Sequence, residues 1–213
     1  MDALAVDLRN QLERVVVDAR AVAESGARVA LERLAVSRGA PLEFMTDDDR
    51  QLRNRLRAHG RQLGDIRKAE TGIQGLEHLA NECAYQLWHR LLFGRFLIEN
   101  RLLIDPTFGV AINIEECEEL ARERRCSPWD VVVSYTQAML PEIFPNESPV
   151  FQVKFAPETQ QTMEQLLGSL PSEVFTASDS LGWTYQFWQT AEKKRVNDRV
   201  NSGEKVSGDM LRC

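Results

Sequence analysis

Apolar residues recur at intervals of three and four through most of this 213-residue sequence, the spacing that gives an α-helix one buried face. The opening stretch shows this clearly, with Leu4, Leu8, Leu12 and Val15 in succession. Only residues 150–155 alternate in the manner of a short strand. The pattern predicts an all-α fold, an irregular bundle of six to eight helices with at most one marginal short strand, and we find no repeat of fixed period.

Capping and helix-breaking residues divide the sequence into segments. Thr46, followed by three aspartates, has the pattern of a helix N-terminus and favours a helix through about Ile66. Residues 73–103 are apolar on more than one face, so we expect them to form the central helix. Three parts are predicted: an N-terminal helical hairpin or long helix at 1–45, a main helical bundle at 46–178, and an aromatic-basic helix with a linker at 179–213.

Composition limits the classes of function. The 26 Lys and Arg against 32 Asp and Glu give a net charge of −6, which argues against a protein that coats nucleic acid. The most apolar stretch, residues 83–104, carries too many charges for a helix that faces lipid, and the first residues lack the order of a signal peptide. Four cysteines without a C-x-x-C pair fit a reduced setting. We expect a cytoplasmic protein with no membrane partner.

A run of basic residues follows Thr46. Residues 50–68 contain seven Lys or Arg against one acid, Asp65. Five of the seven fall in one sector of a helical wheel, opposite the leucines. Such a ridge can follow phosphates, can pair with an acidic surface such as the glutamate-rich helix expected at 115–119, or can simply face solvent. The candidate DNA-binding residues of this basic ridge are Arg50, Arg53, Arg57, Arg61 and Lys68.

Aromatic residues crowd into positions 183–188 and three cations follow at 193–195. Exposed rings can stack on unpaired bases, but rings at helical spacing more often pack in a core or against another domain. Cations near the end of a helix complement its dipole. The candidate domain-interface residues are Trp183, Tyr185, Phe187 and Trp188, and Lys193, Lys194 and Arg195 are further candidates for DNA contact.

We find no pattern that carries catalysis. His78, Glu82, Cys83 and His89 lack the spacing of a metal motif such as H-E-x-x-H, and no cysteine lies in a nucleophile signature. No G-x-G is present to cradle a cofactor, and no Pro-Pro pair is present to form the loop with which amino-methyltransferases hold a flipped base. The sequence therefore predicts no catalytic, cofactor-binding or metal-binding residue in this chain.

Five segments stand out together. The most specific contains L-G-W-x-Y-Q-F/Y-W at 181–188 and is followed at a distance by K-V-S at 205–207. In this order the segments resemble the N-terminal region of large adenine-specific DNA methyltransferases of phage-defence and restriction-modification systems, the PglX-like enzymes. The segments are LRNRLRAHGRQLGD (52–65), ECAYQLWHRLLFGRFLIENRLLI (82–104), INIEECEELA (112–121), SLPSEVFTASDSLGWTYQFWQ (169–189) and GEKVSGDML (203–211).

This resemblance implies a function for the parent enzyme. In that family the matching region precedes the catalytic domain, so residues 179–213 are expected to lead into a methyltransferase domain that this chain lacks. The parent would transfer a methyl group from S-adenosylmethionine to N6 of an adenine flipped out of duplex DNA. The implied partners are the chain's own C-terminal methyltransferase domain, duplex DNA and other defence-system proteins. The alternative is a module that docks such proteins without touching DNA.

Overall fold

The computed structural model describes residues 3–201, and side chains as far as Thr190. Within this range the chain is all-α, as predicted, with eight α-helices and one 3-10 helix. None of the described helices combines the length and the apolarity that crossing a bilayer requires. The helices are α1 (Val6–Arg33), α2 (Asp47–Gln62), α3 (Glu77–Glu99), α4 (Ile114–Arg124), α5 (Pro128–Met139), the 3-10 helix (Pro149–Gln152), α6 (Pro157–Gly168), α7 (Glu173–Thr176) and α8 (Ser180–Asn201).

The chain divides into two compact units. Unit 1 comprises Met1–Asp18 and Leu170–Cys213, of which residues 3–18 and 170–201 are described, and unit 2 comprises Ala19–Ser169. Helix α1 begins in unit 1 and ends in unit 2. The sequence predicts three parts, 1–45, 46–178 and 179–213, with boundaries where the helical pattern breaks. The two units instead group residues that contact one another.

Helix starts follow the capping signals of the sequence. The Thr46 hydroxyl accepts the backbone N–H of Asp49 at 3.1 Å, and Ser127 and Asp130 form a capping box at the start of α5. The central helix α3 is shorter than the predicted 73–103, because a tight turn occupies the residues on each side of it. Local side-chain chemistry therefore determines where α2 and α5 begin.

The turn that precedes α3 is repeated after it. In the first turn the N–H of Lys68 donates to the carbonyl of Ile73, and in the second the N–H of Asp105 donates to that of Val110. Isolated β-bridges join Arg67 to Gln74 and Ile104 to Ala111. Each position in the second turn lies 37 residues after its counterpart, as Gly109 follows Gly72. A structural repeat is thus present that the sequence pattern did not reveal.

The two turns share a backbone shape rather than a sequence. Between residues 64–76 and 101–113 the only identical residue is the glycine at positions 72 and 109. Both glycines have positive φ, 67° and 68°, where a side chain would be strained. The repeat could not be detected as residue similarity because hydrogen bonding of the backbone, not side-chain identity, defines it.

The short strand allowed at residues 150–155 does not form. Pro149–Gln152 is a 3-10 helix, and the N–H of Val153 donates to the carbonyl of Val150 at 3.3 Å. No strand occurs anywhere in residues 3–201. Alternation of five or six residues predicts a strand only when a neighbouring strand can supply the hydrogen bonds, and none does here.

The core of unit 2 forms where α5 packs on α3 and α4. A Cβ atom added to Gly94 of α3 would lie 2.5 Å from Val132 Cγ1 of α5, so the two helices approach at a glycine. Around this contact lies a buried apolar cluster that extends into the second turn. Its members are Leu97, Ile98, Leu103, Ile112, Cys117, Ala121, Val131, Val132 and Tyr135.

Candidate functional site

Two arginines of the basic ridge are buried in unit 2. Arg53 and Arg57 expose only 4% and 6% of their surface. Arg53 donates through Nε to the carbonyl of Ala35 at 2.9 Å. Arg57 donates through Nη1 to the carbonyl of Val36 at 2.5 Å and through Nη2 to that of Gly72 at 2.6 Å. Both arginines therefore bind backbone carbonyl groups of their own unit.

Of the three interpretations that the sequence left open for the ridge, a solvent-facing surface does not hold at these two positions. A helical wheel treats α2 alone, but the segment after α1 lies against its arginine face. That segment leaves α1 through Ala35, which has φ of 51°, and the carbonyls there need donors that no helix provides. Burial lowers the pKa of both guanidinium groups, and for Arg57 the charges of Arg53, Arg67 and Arg61 lower it further. Phosphate contact by Arg53 or Arg57 would require these carbonyl bonds to break.

The other three ridge residues lie nearer the surface. Arg50 is half-buried and donates through Nε to the carbonyl of Met45 at 3.1 Å. Arg61 is exposed and donates through Nη1 to Gln74 Oε1 at 3.2 Å, while Lys68 is exposed in the first turn. The structure thus leaves Arg61 and Lys68 as the ridge cations that solvent reaches most freely.

The glutamate-rich helix α4 does not neutralise the ridge. Among the described residues no ion pair joins α2 to α4. Glu116 instead accepts the N–H of Asn113 at 2.8 Å in a capping box, and the neighbouring glutamates 115, 118 and 119 are exposed. The one acid of the basic run, Asp65, is buried and accepts the N–H groups of His78 and Leu79 at the start of α3. Asp65 therefore caps α3 and forms no ion pair with the basic residues of the run.

The aromatic residues of α8 belong to unit 1. Trp183 donates through Nε1 to Asp179 Oδ2 at 2.8 Å, stacks on Phe187 with ring centres 5.5 Å apart, and lies 4.7 Å below the guanidinium of Arg9. Phe187 and Trp188 are buried, and Tyr185 is 57% exposed. Contact of these residues with a further domain stays a prediction, and the side chains of residues 193–195 lie outside the described ones.

His89 of α3 packs among aromatic rings, and Cys83 of the same helix is buried. Among the described residues no group of three His, Cys, Asp or Glu side chains is placed to hold a metal ion. The His89 ring packs 5.1 Å from Phe144, and burial lowers the pKa of this histidine. Burial, with a smaller effect of Glu82, raises the pKa of the Cys83 thiol to about 12, which keeps it protonated and unreactive at neutral pH.

A pocket of about 340 Å³ lies in unit 2 among α3, α5, α6 and the segment 151–155. Arg90 of α3 lines it, and its Nε donates to the carbonyl of Gln86 at 3.3 Å while its guanidinium lies 5.0 Å from the ring centre of Phe151. Burial lowers the pKa of Arg90 to about 10. The lining residues are Leu87, Arg90, Leu91, Trp129, Asp130, Val133, Phe151, Val153, Lys154, Phe155, Gln160 and Glu164.

These features are a basic surface, an aromatic cluster and a pocket. Comparison of the chain with protein-family models, with curated proteins and with solved structures finds no match.

The pocket was not predicted from the sequence, although the position of one charged residue indicated it. Arg90 lies in the most apolar stretch of the chain, between Trp88 and the pair Leu91 and Leu92. A charge at such a position is costly unless something pairs with it. The other walls come from residues 129–164, which no spacing rule connects to α3.

Proposed function

We propose that the chain is a non-catalytic helical module of an S-adenosylmethionine-dependent N6-adenine DNA methyltransferase of a restriction-modification or phage-defence system. It supports the catalytic domain and contacts DNA phosphates. Cofactor binding and methyl transfer belong to that catalytic domain.

One observation carries the proposal. Four of the five segments that resemble methyltransferases correspond to helices and their turns rather than to scattered loops, and the fifth, 203–211, lies outside the described residues. Residues 52–65 are most of α2 with its end, 82–104 are most of α3 with the turn after it, 112–121 lead into and form most of α4, and 169–189 contain α7 and the start of α8. A shared framework is what a common fold would preserve, because core helices tolerate less change than loops do.

The phosphate contact is assigned to Arg61 and Lys68. Both are exposed, and the charges of Arg53, Arg61 and Arg67 act together on Arg57, so positive charge is concentrated on this side of unit 2. Exposed cations beside a positive cluster attract a polyanion and release its counterions on binding. The buried arginines strengthen the local potential without touching the phosphates.

Salt dependence tests this contact. In the full 213-residue chain, the double variant Arg61→Glu with Lys68→Glu should weaken binding to duplex DNA and reduce the slope of log affinity against log salt by about 2, since each lost phosphate contact removes about 0.9. The matched control is Arg28→Glu with Arg122→Glu, two exposed arginines on other helices. Equal slopes for the two double variants would remove DNA contact from the proposal.

A cofactor assay tests the non-catalytic role. The purified chain should neither bind S-adenosylmethionine stoichiometrically nor methylate duplex or single-stranded oligonucleotides. Calorimetry and transfer of a labelled methyl group measure the two properties. Either activity in the chain alone would show that it carries its own active site.

A second candidate, a module that docks other defence-system proteins, is favoured by exposed apolar residues on both repeated turns. Ile73 and Val110 occupy equivalent positions and are 48% and 54% exposed, and Phe108 is 76% exposed. The double variant Ile73→Ser with Val110→Ser should then abolish co-purification of such subunits from nuclease-treated extracts while the salt slope for DNA stays unchanged. Loss of DNA binding without loss of a partner would favour the first candidate.

A further inference from the structure

Arg90, which is half-buried, differs from the buried arginines of unit 2. The terminal nitrogens of Arg57 all donate to carbonyl groups, but those of Arg90 make no hydrogen bond to any described residue, and no carboxylate lies within ion-pair distance. Its guanidinium is held in place by the Nε bond to Gln86 and by the ring of Phe151. Up to four N–H donors of a guanidinium fixed in this way are therefore left to the pocket and to the solvent that reaches it.

The acids in the pocket wall do not serve as its partner. Asp130 Oδ2 accepts the N–H of Ser127 at 3.0 Å, and Glu164 Oε1 accepts the hydroxyl of the same serine at 3.1 Å. Burial, followed by the charge of Asp130, raises the pKa of Glu164. Both acids bind Ser127, and neither forms an ion pair with Arg90.

The rest of the wall suits an apolar body. Trp129, Phe151 and Phe155 contribute aromatic rings, and leucines and valines fill the spaces between them. The volume of about 340 Å³ is at the small end of the range for small-molecule sites, roughly 300 to 1,000 Å³. Exposed Lys154 at the wall adds a second positive charge.

We propose that unit 2 binds a small organic anion in this pocket, with a carboxylate or phosphate group on the Arg90 guanidinium and an aromatic or apolar body among Trp129, Phe151 and Phe155. A guanidinium donates two parallel hydrogen bonds to either group. This site is independent of the methyltransferase relation proposed above and would exist in an interaction module equally.

Four probes of one shape test the charge preference. Benzoate and phenylphosphate carry the two anionic groups, benzyl alcohol is the neutral match, and benzylamine is the cation. Binding is followed by calorimetry and by the indole N–H signal of Trp129 in ¹H–¹⁵N spectra of the full chain. At least one anion should bind about tenfold or more tightly than benzyl alcohol, benzylamine should bind weakest, and the Trp129 signal should shift. The better of the two anions identifies the chemical group.

Two variants locate the site. Arg90→Met keeps the length of the side chain and should weaken anion binding about tenfold, to the level of benzyl alcohol. Arg95→Met, on the same helix and outside the pocket wall, is the matched control and should leave binding unchanged. Val133→Phe fills the pocket while Arg90 stays in place and should abolish binding of every probe.

Two results would overturn the proposal. Anions that bind no better than benzyl alcohol, or that bind Val133→Phe as well as they bind the unchanged chain, would overturn it. Because Val133→Phe leaves Arg90 in place, this variant tests the proposal even where Arg90→Met fails to fold.

Discussion

At the scale of single residues, the same side chain has different roles in different surroundings. Arg57 connects two segments through backbone carbonyls, Arg61 faces solvent, and Arg90 faces a pocket. A buried guanidinium is tolerated where its N–H groups are satisfied, because the cost of removing the charge from water is then offset. The number of satisfied N–H groups therefore separates structural arginines from candidates for ligand binding.

Replacing Arg57 should destabilise unit 2 strongly. Arg57→Met leaves the carbonyls of Val36, Arg38 and Gly72 without these donors, and we expect the free energy of unfolding to fall by about 3 kcal/mol. Arg57→Lys should recover little, because one ammonium group cannot reach the same carbonyls. Urea unfolding measures the change, and Arg61→Met, at an exposed position, should stay within about 0.5 kcal/mol of the unchanged chain. Equal effects at positions 57 and 61 would contradict the carbonyl-binding role.

The Cys83 thiol should make stability depend on alkaline pH. Its pKa rises from 9.0 when exposed to about 12 in the fold, so the stabilisation is complete below about pH 9 and is lost as pH rises toward 12. At about pH 10 the unfolding free energy should have fallen by about 1 kcal/mol through this group alone. Cys83→Ala should remove that part of the pH dependence, and Cys126→Ala, at an exposed position, should not. Identical pH profiles for Cys83→Ala and the unchanged chain would refute the assignment.

At the scale of elements, backbone geometry rather than side-chain identity defines the connections at the two ends of α3. The turns on either side of α3 have the same hydrogen bonds and β-bridges, yet share only a glycine. Helix α3 is thus held at both ends by one kind of connection. Close packing with α5 then requires a residue without a side chain at position 94.

Glycine-to-alanine substitutions should have opposite signs in two helices. Alanine normally stabilises a helix relative to glycine by about 0.5 to 1 kcal/mol, and Gly182→Ala in α8 should do so because nothing lies within 4 Å of the added atom. Gly94→Ala should instead lower the unfolding free energy by about 1 to 3 kcal/mol through the overlap with Val132. Thermal and urea unfolding compare the two variants. A gain in stability for Gly94→Ala would mean that α3 and α5 do not approach at this point.

At the scale of the whole molecule, distant parts of the sequence meet inside unit 1. The N–H of Leu4 donates to Asp179 Oδ1 at 2.8 Å, across 175 positions of sequence. Asp179 Oδ2 accepts the indole of Trp183 at the same time. The hydrogen bond from Leu4, followed by that from Trp183, lowers the pKa of this carboxyl group. One carboxylate therefore connects the start of the chain to the start of α8.

Acidic pH should weaken the hydrogen bonds that Asp179 accepts from Leu4 and Trp183. Because the folded pKa of Asp179 is lowered, its stabilisation is present above the unfolded value of about 3.9 and is lost as pH falls through the folded value. The stability difference between the unchanged chain and Asp179→Asn should be clear near neutral pH and should shrink in acid. Urea unfolding across this range measures it, with Asp18→Asn at an exposed position as the control. A difference that does not change with pH would exclude a role for the charge.

Much of the local structure could be predicted from the sequence. Helical periodicity predicts the all-α class, and capping residues such as Thr46 and Ser127 predict where helices begin, since each signal acts over only a few residues. The predicted helix ends were less accurate, because apolar spacing continues into turns such as that at 63–76. The repeat of this turn was not predictable from residue identity.

The candidate sites were only partly predictable, for a physical reason. The sequence by itself determined that α2 is rich in arginine, that α3 is apolar, and that α8 begins with aromatic residues. Tertiary structure alone decided that residues 35–38 lie over Arg53 and Arg57, and that segments from 129 to 164 enclose Arg90. A helical wheel describes one helix in isolation, but burial and hydrogen bonding of a charge depend on which distant segment packs against it.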